Sequence, residues 1–100
     1  MEAAVVKAEP TFIEASANGA LMVELDAHGE VLRVLIEPEV MATWSATVLA
    51  DRITRLHRLA LMRARAAGLV AMNEQRAKLA PTRAWPSQAE VDEFRRSINF

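Results

Sequence analysis

The chain has no cysteine, only three glycines and two histidines, and no long uninterrupted apolar run. Each scarcity removes a class of protein. Without cysteine there is no disulfide frame and no thiolate chemistry. Gly19, Gly29 and Gly68 are too scattered to form a phosphate-cradling loop. His28 and His57 have no partner histidine at metal-ligand spacing. Glu37 and Glu39 flank Pro38 and read as a solvated turn rather than a cation site. No nucleophile stands beside a base, so no catalytic residue, metal or cofactor is expected, and the chain reads as no enzyme. Arg52, Arg55, Arg58, Arg63 and Arg65 interrupt the best candidate for the roughly 18 apolar residues a membrane span needs. The first residues lack the basic-then-apolar order of a signal peptide. The cytoplasm is the expected location, with the nucleoid as its alternative.

What is present is an apolar share of 52 %, too high for a disordered chain and enough for one modest core. Glu14 to Pro38 reads as a β-meander. Phe12 to Ala17 alternates Phe12, Glu14 and Ser16 against Ile13, Ala15 and Ala17. Asn18-Gly19 suits a type I′ hairpin turn. Leu21, Val23 and Leu25 then point one way, and Met22, Glu24 and Asp26 the other. Gly29 closes a second turn with a bulge. In the third strand Leu32, Val34 and Ile36 form one face and Val31, Arg33, Leu35 and Glu37 the other. A strand apolar on both faces is usually covered on both, and a second subunit is the expected cover. Pro38 ends the strand.

A helix is expected from about Val40–Trp44 to Leu79, capped by Thr43 or begun at Glu39. Leu49, Ile53, Leu56, Ala60, Ala64, Ala67 and Ala71 recur at helical spacing as one stripe. Arg52, Arg55, Arg58, Arg63 and Arg65 lie largely opposite it. Gly68 is a candidate bend. After Pro81, Ser87-Gln88-Ala89-Glu90 has the form of a capping box before a short amphipathic helix, anchored by Trp85 and Phe94. The domain reading is a sheet-plus-helix unit over 1–80 and a C-terminal extension over 81–100.

Charge is segregated. Residues 1–40 carry eight acids and two bases; residues 41–80 carry seven bases and two acids. Such asymmetry attracts an anionic partner to one face, or neutralises itself within the fold.

The run from Gly19 to Val40 resembles the YbaB/EbfC family of small bacterial nucleoid-associated proteins. The matching features are Gly19, the alternation Leu21-Met22-Val23-Glu24-Leu25, Gly29, and the step Ile36-Glu37-Pro38, with the long helix behind them. The resemblance covers about residues 12–75. It implies an α/β-type fold, an intimate homodimer, and DNA binding without catalysis. Related proteins also occur among accessory proteins of specialised secretion systems.

The combined expectation is an α+β fold: a three-stranded antiparallel meander, one long helix and a short C-terminal helix, as a homodimer with a heterodimer as the alternative. Low-specificity duplex DNA binding through Arg52, Arg55, Arg58, Arg63 and Arg65 is the leading functional expectation. A protein-interaction or secretion-accessory module is the competitor. Leu35, Leu49, Ile53, Leu56 and Ala60 are the expected dimer or partner contacts.

Overall fold

A computed structural model of the chain describes residues 9–75 and 78–100. The segment before Glu9 lies outside the described residues. Three strands, β1 (Phe12–Ala15), β2 (Leu21–Leu25) and β3 (Val31–Ile36), form one antiparallel sheet in the order β1-β2-β3. Three helices follow: α1 (Pro38–Thr43), α2 (Ala46–Glu74) and α3 (Gln88–Arg95). The α+β expectation is met.

The two hairpins are built alike. Gly19 N–H donates to Ser16 O, and Gly29 N–H donates to Asp26 O. Both glycines are left-handed, with φ of 75° and 87°. Asn18 does not have positive φ, so the first turn is not the expected type I′, which needs two such residues. It is a type I turn followed by a left-handed glycine. Asn18 Oδ1 instead accepts hydrogen bonds from Ser16 Oγ and Ala20 N. In the second turn Asp26 Oδ1 accepts from His28 N and Glu30 N.

A register shift beside Leu25 sets Glu24 opposite Arg33 but Leu25 opposite Val31. Leu32 is the extra residue of a bulge. Strict alternation is therefore interrupted there, and Val31, opposite Leu25, joins the face of Val34 and Ile36.

The expected single helix is broken. Trp44 is extended (φ −92°, ψ 141°), so α1 stops and α2 starts afresh. Ser45 caps α2, its Oγ accepting from Val48 N at 3.1 Å. Thr43, the expected cap, instead donates its hydroxyl to Glu39 O. Pro38 opens α1, where its missing N–H costs nothing. Gly68 does not end α2, which runs through it to Glu74. A Cβ there would lie 2.8 Å from Trp85 Cζ3, so the glycine makes the seat for that ring. The helix ends at Glu74, short of Leu79. Asn73 then holds the returning chain, accepting from Leu79 N and donating to Leu79 O.

α2 is clad on two sides. Against the sheet, Leu56, Ala60 and Ala64 pack on Phe12, Leu21, Val23 and Leu25. On another side Leu59 and Ala66 pack on Val91 of α3. Each large aliphatic residue so buried contributes about 1.5–3 kcal/mol. This second contact explains why the single-stripe expectation fails at its far end: Ala67 and Ala71 are exposed, while Leu59, Ala66 and Leu69 are buried. Ser87 caps α3 as expected, its Oγ accepting from Glu90 N.

Candidate functional site

The five arginines of α2 do not form one open face. Arg52 lies over the Trp44 ring at 4.4 Å and the Phe100 ring at 5.0 Å. Arg55 approaches Phe100 from 5.4 Å and donates to Ser97 O at 3.1 Å. Arg58 lies over Phe94 at 5.0 Å. Arg52 and Arg55 thus hold the tail that follows α3, and Arg58 holds α3 itself. Arg63 turns to the sheet, where it donates to Ile13 O at 3.0 Å and to Glu14 Oε2 at 2.6 Å. Arg65 alone of the five has none of these contacts; it is exposed beside a recess it lines with His28, Gly29 and Trp85.

Glu14 explains part of this arrangement. It sits between Phe12 and Ser16 on the buried face of β1, with its side chain 8 % exposed. A buried carboxylate needs hydrogen-bonded counter-charge. Arg63 supplies it from α2, and Arg95 of α3 supplies a two-pronged contact at 3.1 and 3.2 Å. The alternation Phe12-Glu14-Ser16 was the sequence signal for a buried acid; which arginines answer it was not.

The expected interface residues also separate. Leu56 and Ala60 are fully buried by the chain's own sheet, and Leu49 and Ile53 are half-buried against the same cluster. They serve the core of this chain. Leu35 alone of that set is exposed.

Leu35 belongs to a different surface. Every residue of β3 except Ile36 is exposed. Val31, Leu32, Val34 and Leu35 have relative exposures of 51, 54, 43 and 41 %. α2 packs on β1 and β2, so the helix-side residues Val31 and Val34 are left open. On the other side of the sheet Leu35 is paired with Met22, and Ile13 is exposed nearby. The molecule is 18 Å thick along its shortest axis, room for one sheet and one helix layer but no third. β3 is also the sheet edge, with no neighbour on its far side among the described residues. One cross-strand ion pair, Arg33 to Glu24 at 3.2 Å, breaks the apolar surface.

Which backbone groups face outward follows from the ladder. Glu37 N–H donates to Ala20 O, so Glu37, Leu35 and Arg33 bond toward β2. Val34 and Ile36 then direct their N–H and C=O groups to the free edge.

His28 is at a turn tip, 3.8 Å from Glu9. Among the described residues no group of three or more acidic or histidine side chains is placed to hold a metal. No helix of the described residues is long and apolar enough to cross a membrane. Comparison with protein-family models, curated proteins and solved structures returned no match for this chain.

Proposed function

We propose that this chain is a non-enzymatic association module that works as a dimer through β3. The observation that carries this reading is the edge strand, which offers four large apolar side chains and an unpaired backbone edge together. Monomeric proteins blunt such edges with charge, proline or a covering segment. Here the only charge within the strand, Arg33, is drawn to Glu24 on the same sheet. The resemblance of residues 12–75 to YbaB/EbfC proteins supports the dimeric part of the reading.

Association is preferred to DNA binding because Arg52, Arg55, Arg58 and Arg63 have partners within the chain. Phosphate contacts from them require those partners to be given up. The meander itself is acidic and a poor surface for DNA.

Sedimentation equilibrium tests the reading. The wild-type chain should be dimeric at about 50 μM, a concentration that detects micromolar association. Leu35→Lys should be monomeric with an unchanged far-UV circular dichroism spectrum. A monomeric wild-type chain overturns the proposal.

A further inference from the structure

We propose that two copies join by antiparallel β3–β3 pairing with Leu35 on the two-fold axis, which sets Arg33 of each copy opposite Glu37 of the other. This rests on the association reading above and specifies its geometry. A two-fold axis perpendicular to the sheet keeps both α2 helices on one side. Directly opposed residues must then share a face, which restricts the pairing to same-parity registers.

The hydrogen-bonding edge narrows them further. Val34 and Ile36 hold the outward N–H and C=O groups. With Leu35 on the axis, Val34 of one copy opposes Ile36 of the other, twice. Each such pair exchanges two bonds.

Charge selects among the remaining registers. Centring on Arg33 opposes two arginines. Centring on Val34 sets Arg33 against Leu35 and Glu37 against Val31. Centring on Ile36 sets Glu37 against Leu35. Only the Leu35 centre opposes unlike charges, and it does so symmetrically. Arg33 and Glu37 then face each other in non-hydrogen-bonded pairs, where side chains approach closely. Arg33 already lies on the same face as Glu24, so its guanidinium would stand between two carboxylates. Glu37 has extended backbone, φ −66° and ψ 146°, and continues the strand to that point. The bulge at Leu32 bends β3 beyond the paired stretch.

The chain's lack of cysteine makes the test direct. Opposed residues on the axis of a non-hydrogen-bonded pair have Cα atoms about 4.5 Å apart, within disulfide reach. Leu35→Cys should oxidise to a covalent dimer on a non-reducing gel. Val31→Cys, at a more exposed position, should not. Arg33→Glu should weaken dimerisation about tenfold or more, and adding Glu37→Arg should restore it. A dimer that crosslinks through Val34→Cys and not Leu35→Cys, or that ignores both charge changes, overturns this register but leaves the association reading standing. A wild-type monomer in sedimentation ends both.

Discussion

Glu14→Gln is the sharpest probe of how the core is held. The change keeps the shape and one acceptor but removes the charge that Arg63 and Arg95 share. Removing one partner of a fully buried ion pair costs about 3–5 kcal/mol. Here the two arginine side chains are 32 and 47 % exposed, so each can regain water, and the lower part of the scale applies. The lost charge-assisted bonds then suggest about 2–3 kcal/mol. For a domain of this size, that corresponds to a fall in Tm of about 10–20 °C. Urea and thermal unfolding followed by circular dichroism measure it. In a double-mutant cycle, Glu14→Gln and Arg95→Met should be less than additive, because each removes the same contact. A loss below about 0.5 kcal/mol would show that Glu14 is solvated, and the reasoning about a buried, shared carboxylate would fail.

Gly68→Ala should gain up to about 1 kcal/mol of helix propensity, yet displace Trp85 from its seat. Red-shifted tryptophan emission in a Trp44→Phe background reads the displacement, and unchanged emission refutes it. Ser45→Ala should cost about 1 kcal/mol in urea unfolding through loss of the α2 cap; no change would show that Val48 N–H finds another acceptor. Random duplex DNA should not be retarded in a gel at about 0.15 M salt. Retardation abolished by Arg55→Ala with Arg58→Ala would reverse the preference for association over DNA. Phe100→Ala should speed hydrogen exchange in residues 94–99, since it removes the ring under Arg52 and Arg55; unchanged protection would make those contacts incidental.

What could be read from the sequence was local. β2 and β3, the glycine turns, the stop at Pro38 and the cap at Ser87 depend on neighbours a few residues away. The alternation of Leu21, Val23 and Leu25 is enough to place a core face. The break at Trp44 was hidden because helical spacing runs on through it, while the ring packs against the core cluster. The roles of the arginines were hidden for a stronger reason. Arg63 meets Glu14 across 49 residues and Arg55 meets Ser97 across 42, and a helical wheel places neither partner. The wheel also assumed one covered side, whereas α2 has two. At the candidate site, the two-sided apolar pattern of β3 was legible. Its position at an open edge, and the bulge that brings Val31 opposite Leu25, required the sheet.

The link between Glu14 and Arg95 spans 81 residues and bears on the order in which the molecule assembles. Contacts between residues far apart in sequence form late, because the intervening loop must first be closed. The meander and α2 can come together with Arg63 alone answering Glu14. The carboxylate gains its second partner only when α3 docks, and the same event covers Leu59 and Ala66. α3 is thus the element expected to join last and to open first. Its departure leaves a half-paired acid and a bare apolar stripe, so early unfolding begins there rather than in the sheet.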